Sequence, residues 1–74
     1  MLIIGVDAHK RVHQAVAIDE RGQPVAVWRG GNRPDAWAEL HGWAAGLAEQ
    51  RRWGIEGAHT FGHSLAQYLV ARGE

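Results

Sequence analysis

The apolar pattern of this chain changes period, and that change limits the folds open to it. Up to Arg29 the apolar residues come in short runs bounded by polar turns, and after Pro34 they recur at helical spacing. Residues 2–7 place aliphatics at successive positions, which reads as a strand buried on both faces. After a short turn, residues 12–18 (VHQAVAI) set Val12, Gln14, Val16 and Ile18 on one face and His13, Ala15 and Ala17 on the other. Asp19-Glu20-Arg21-Gly22-Gln23 is a polar loop suited to a hairpin, and residues 24–29 (PVAVWR) supply a third strand. Pro24 can only begin a strand or sit on an edge, so this strand belongs at the sheet margin. Three consecutive strands with short links make an antiparallel meander.

The stretch Gly30-Gly31-Asn32-Arg33-Pro34-Asp35 is a break followed by a helix start, with Pro34 in the first turn and Asp35 near the positive helix end. Trp37, Leu40, Ala44 and Leu47, widened by Trp43, predict an amphipathic helix over residues 34–50, weakened by Gly42 and Gly46. Residues 52–56 (RWGIE) repeat the design of the first strand, an apolar run ending in an acid. Thr60 is placed to cap a second helix with Phe61, Leu65, Tyr68 and Leu69 on one face, and Gly73-Glu74 to stop it. The order is βββαβα. A strand after a helical crossover returns parallel to an earlier one. Beside the first strand, it makes a mixed sheet ordered 3-2-1-4 and brings Asp7 and Glu56 to one edge, on backbones about 4.8 Å apart.

Size and charge bound the rest. A chain of 74 residues makes one domain and buries only about 60–65% of its unfolded surface. Scaffolds this small lean on a disulfide, a metal or a partner. With no cysteine, disulfides and thiolate zinc sites are excluded. Eight basic and eight acidic side chains balance, so there is no overall electrostatic footprint for nucleic acid, although Gln50-Arg51-Arg52 is locally basic. That balance argues neither for nor against a nucleic-acid enzyme. The run Leu2 to Val6 is too short for a signal peptide or a membrane span, so the expectation is a soluble, cytoplasmic protein with no membrane partner. The four Trp are widely spaced and read as core area rather than a base-stacking platform.

The candidate chemistry lies in GVDAHK, residues 5–10, where an apolar strand ends on Asp7. A single Asp suits a turn. Paired with Glu56 on a neighbouring strand end, it becomes a site, because two adjacent carboxylates repel unless a cation or proton lies between them. Hard oxygen ligands select Mg²⁺ or Mn²⁺, and ligands of open α/β sheets sit at the carboxyl ends of strands. His9 and His13 are four apart, as are His59 and His63, but the first pair crosses a turn. The histidines therefore read as surface or turn residues. Lys10 and Arg11 are solvated turn residues or phosphate contacts, and Gly5 is either a point of close backbone approach or only a tolerated small residue.

Residues 4–19 (IGVDAHKRVHQAVAID) and 53–73 (WGIEGAHTFGHSLAQYLVARG) resemble the N-terminal domain of the DEDD transposases of the insertion-sequence one-ten family. The resemblance implies a ribonuclease H-like, RuvC-like fold over residues 1–74. It also implies DNA strand cleavage and transfer with Mg²⁺ or Mn²⁺ held by four acids, of which Asp7 matches the first and Glu56 the second. It further implies DNA as partner, a bridging guide RNA in studied members, and a homo-oligomer when complete. The chain departs from the family pattern after Gly57, where Ala58 and His59 replace a small hydroxyl residue and a glycine. It also lacks the fifth strand, the downstream Asp pair and the Ser-bearing domain. The expectation is thus the opening piece of a transposase, inactive alone and marginally stable, with its fourth strand left as a sheet edge. Two alternatives remain at this point: an actin-like or sugar-kinase-type ATPase fragment, and a non-catalytic interaction remnant. His9-Lys10-Arg11 stands where the ATPases carry a glycine-rich phosphate turn, which weighs against the first.

Overall fold

In the computed structural model, which describes residues 1–74, four strands and two helices follow in the order β1 (Leu2–Ala8), β2 (Val12–Ile18), β3 (Pro24–Gly31), α1 (Pro34–Leu47), β4 (Arg51–Glu56) and α2 (His63–Ala71). The sheet order is β3-β2-β1-β4. β1 runs antiparallel to β2, β2 antiparallel to β3, and β4 parallel to β1. This βββαβα arrangement of an α/β, ribonuclease H-like fold is the one the apolar pattern and the Pro24 edge signal predict. Pro24 begins an edge strand and pairs with Ile18 across a register shift. The preceding hairpin loop closes on Asp19, whose carboxylate accepts the backbone N–H of Arg21 and of Gln23, both at 2.9 Å.

The core lies on one side of the sheet. Leu2, Ile4 and Val6 of β1, with Ala15 and Ala17 of β2, meet Leu40 and Ala44 of α1 and Leu65 and Leu69 of α2. All four Trp pack around this cluster, partly buried, so they do serve as packing area. The expectation that β1 is buried on both faces does not hold. Its burial alternates, and Ile3 stays 47% exposed. The helices and core cluster occupy one face, and the aliphatics of β1 and β2 that point away, Ile3, Val16 and Ile18, join Val25 and Val27 on an open face. An unbroken aliphatic run cannot by itself report which face is covered.

Both helices are shorter than the pattern suggests. α1 ends at Leu47, which is exposed in the last turn, and its inner stripe is Ala36, Leu40 and Ala44, with Trp37 and Trp43 half-buried. Arg51 helps end it there, donating to the carbonyls of Ala48 at 2.6 Å and Glu49 at 3.3 Å and so holding the chain as it leaves the helix. α2 begins at His63 instead of following a Thr60 cap, and Phe61 is half-exposed rather than on its inner face. Leu65 and Leu69 are buried and Tyr68 half-buried, as the spacing predicts. The stop at Gly73 is a Schellman cap: Gly73, at φ +84°, donates to the Val70 carbonyl and Glu74 to that of Leu69, each at 3.0 Å.

That cap aims Glu74 at the start of β4. Arg51 grips its carboxylate with two bonds, Nε at 2.9 Å and Nη2 at 2.6 Å, and the Trp53 indole donates at 2.7 Å. His41 of α1 lies 3.4 Å from the same carboxylate. Arg51 above all, with help from Trp53 and His41, outweighs the cost of burial and lowers the Glu74 carboxyl from 4.5 to about 2.

Candidate active site

β1 and β4 are parallel neighbours in register, so their carboxyl ends lie together, and Asp7 pairs directly with Glu56. Both acids stand on the open face, exposed to solvent. The same rung continues across the sheet, since Asp7 also pairs with Gln14 and Gln14 with Arg29. One rung below come Gly54, Gly5, Val16 and Val27. The two glycines strip the floor of side chains beneath the acids, leaving a concavity of about 660 Å³ that both rungs line. Of the residues singled out from the sequence, Asp7, Glu56 and Gly5 thus meet at one place.

The donor set can be tested for fit. Asp7 and Glu56 offer hard carboxylate oxygens from two rigid strand ends, the kind of ligand Mg²⁺ and Mn²⁺ take. No cluster of three or more His, Asp or Glu side chains able to hold a metal forms. The pair therefore suits an ion whose other positions go to water or to further ligands, and not a protein-only cage. The one side chain bound to either acid is His9, whose Nε2 lies 3.0 Å from Asp7 Oδ2. Lys10 and Arg11 form no ion pair with them.

Behind Asp7 lies a polar junction that pattern reading missed. His13 is fully buried, so its reading as a surface or turn residue is overturned. It shares the inward face with Ala15 and Ala17, and that shared face was the signal that could have found it. His13 Nδ1 accepts the backbone N–H of His9 at 3.2 Å, so the ring proton belongs on Nε2, which lies 2.9 Å from Asn32 Oδ1. Burial, the largest influence, pushes the His13 pKa down and favours this neutral ring. Asn32 Oδ1 also accepts the Trp37 indole N–H at 3.1 Å, while its amide donates to the carbonyls of Lys10 at 3.1 Å and Phe61 at 3.4 Å. One asparagine thereby ties together the turn after Asp7, the start of α1 and the loop after Glu56.

That last loop, residues 57–62, is wound around a single carbonyl. Gly57, at φ +70°, turns the chain directly after Glu56. Its carbonyl accepts the N–H of Thr60 at 2.9 Å and of Gly62 at 2.8 Å, and the Thr60 hydroxyl at 3.2 Å. Thr60 closes this loop and does not cap α2. Gly62 is buried so tightly that a Cβ there would sit 2.6 Å from the Ile55 side chain and 3.2 Å from Ala8. Ala58 and His59, the departures from the family pattern, are accommodated without opening the loop.

A family model described as transposase, of the DEDD and IS110 type, matches residues 4–74, and no curated protein matches the chain. The matched span includes both strand-end acids, the glycine pair and the locked loop after Glu56. By that match over nearly its whole length, the chain belongs to the IS110-type DEDD transposase family.

Proposed function

We propose that Asp7 and Glu56 together hold a divalent cation, Mg²⁺ or Mn²⁺, and serve DNA strand cleavage and transfer. The observation that carries this reading is the direct pairing of the two acids on parallel strand ends of an open sheet face. Each strand is fixed by backbone bonds, so the two acidic residues are held side by side, and no lysine or arginine of the fold pairs with either. A bound ion would activate the attacking oxygen and stabilise the leaving one. Asp7 and Glu56 contribute charge and rigid placement, and His9, at 3.0 Å from Asp7, restricts the rotation of that carboxylate. Two carboxylates fill only part of the coordination shell of such an ion, so on their own they hold it weakly. In the complete protein the reading extends to a bridging guide RNA and a homo-oligomer.

The ATPase reading has nothing here to favour it. The His9 backbone N–H is already engaged by the Val12 carbonyl at 3.2 Å and by His13 Nδ1, and the turn holds no glycine to bring its backbone close to a phosphate. A non-catalytic interaction remnant differs in its response to metal. Titration with Mn²⁺, followed by paramagnetic broadening, should perturb residues around Asp7 and Glu56, and Asp7→Asn should abolish the effect. In the complete transposase, Asp7→Asn should eliminate strand transfer while leaving DNA binding largely intact, because affinity comes mainly from phosphate contacts by basic residues. Normal transposition by that variant would reduce Asp7 to a turn residue.

A further inference from the structure

Beyond the acids, the geometry points to Arg29, assisted by Gln14, as the contact that seats a DNA phosphate beside them. The inference rests on reading Asp7 and Glu56 as a metal pair. Arg29, Gln14, Asp7 and Glu56 occupy one rung across all four strands, on the open face. Arg29 stands two strands from Asp7, about 10 Å at the usual strand spacing, which is bridged by a strand of nucleic acid lying across the rung.

The fold makes no use of Arg29. Arg33 pairs with Asp35 and Arg51 with Glu74, but Arg29 has no carboxylate within ion-pair distance and makes no side-chain hydrogen bond. It is exposed on an edge strand, with its neighbours on the open face either apolar (Val27) or neutral (Gln14). A guanidinium presents a planar fork that matches two phosphate oxygens, and its charge persists at any working pH. Gln14, between Arg29 and Asp7, supplies an uncharged amide donor where a second cation would compete with metal at the acids. Below them the glycine floor, bordered by the Val16 and Val27 side chains, leaves a shallow apolar concavity for sugar and base. The polarity of the rung, cation at one end and acid pair at the other, orients a phosphodiester strand so that one phosphate meets Arg29 and a neighbouring one meets the ion.

The test uses the 74-residue chain and a fluorescein-labelled single-stranded DNA oligonucleotide, with anisotropy measured over a series of NaCl concentrations in Mn²⁺. Arg29→Ala should weaken binding about tenfold at low salt, the worth of one charge-assisted contact, and lower the slope of log K against log salt by about 0.7, as loss of one single-strand phosphate contact requires. Arg29→Lys should keep the slope while losing part of the affinity, since the charge remains and the fork does not. Mn²⁺ broadening at Asp7 should be unchanged in both variants, so failure of the phosphate contact and failure of the metal reading give different results. Unchanged affinity and slope in Arg29→Ala would overturn the inference. So would the absence of measurable DNA binding by the parent chain with Mn²⁺ bound.

Discussion

Removing the Glu74 carboxylate should cost this chain a large part of its stability, and the cost should depend on pH in a defined way. Glu74 is only 10% exposed and holds Arg51, itself 11% exposed, through two short bonds. Its carboxyl is lowered from 4.5 to about 2, which is worth roughly 3 kcal/mol at about 1.4 kcal/mol per pH unit. A domain of 74 residues has a total stability of roughly 4–11 kcal/mol, so the interaction is a substantial fraction of the whole. Because the folded carboxyl titrates below the unfolded one, the contribution is complete above pH 4.5 and disappears as pH falls from there to about 2.

The perturbation is Glu74→Gln, which keeps the shape and removes the charge. Urea unfolding followed by Trp fluorescence reads it out, and Trp53, which donates to Glu74 at 2.7 Å, is an internal reporter. At neutral pH the variant should be less stable by roughly 3 kcal/mol, since breaking one side of a buried pair leaves the other uncompensated. The gap should shrink below pH 4.5 and close near pH 2. The double variant Arg51→Met, Glu74→Leu should recover much of the loss, because the stranded charge goes with its partner. A gap that is the same at pH 7 and pH 3, or no gap at all, would refute the account of what joins the end of α2 to β4.

Four further substitutions test the rest of the fold. Asn32→Ala removes the acceptor of both His13 and Trp37 and should destabilise by about 1–3 kcal/mol per orphaned donor, visible in thermal unfolding. The depressed His13 pKa adds stability that is whole above pH 6.5 and lost as pH falls below it, so His13→Gln should flatten that part of a stability–pH curve. Gly62→Ala, which forces a Cβ against Ile55, should lower stability by about 1–3 kcal/mol, whereas Gly42→Ala, facing open space in α1, should raise it by up to about 1 kcal/mol in the same denaturation assay. Finally, β4 is a sheet edge and Val27 is 75% exposed on the open face, so the chain should self-associate; sedimentation showing a monomer at every concentration, with a sharp and concentration-independent thermal transition, would rule that out.

The elements that could be read from sequence are those whose physics is local and periodic. Alternation in VHQAVAI, the proline at residue 24 and the helical spacing after Pro34 each report on one element; the crossover rule makes β4 parallel to an earlier strand, and the structure shows that strand to be β1. The pairing of Asp7 with Glu56 follows from that placement together with the register that sets Gly5 against Gly54. What escaped reading depends on partners far apart in the chain. Asn32 looks like any loop asparagine until Lys10, Trp37 and Phe61 surround it. Glu74 looks like a solvated terminal acid until the Schellman turn swings it onto Arg51. Arg29 closes an edge strand like many arginines, and only the cross-strand register shows that it shares a rung with the acids.

The two ends of the sheet differ in a way that bears on the site. At the lower end, the carboxylate of Glu74 meets Arg51, Trp53 and His41, and its negative charge is fully matched. No buried side-chain nitrogen or oxygen in the chain lacks a partner. At the upper end, Asp7 and Glu56 stand in register, with a single histidine contact to Asp7 and none to Glu56, although Lys10 and Arg11 follow within four residues of Asp7 and eight basic side chains are available to eight acidic ones. A chain that neutralises the carboxylate at the end of α2 so completely had the cations at hand to neutralise these. Two carboxylates placed side by side with no cation of the chain paired to them offer hard oxygen ligands to a cation from outside the chain, which is what the proposed metal pair requires. The imbalance, set against the matched lower end, is the electrostatic argument for reading the upper end as a site rather than as a turn.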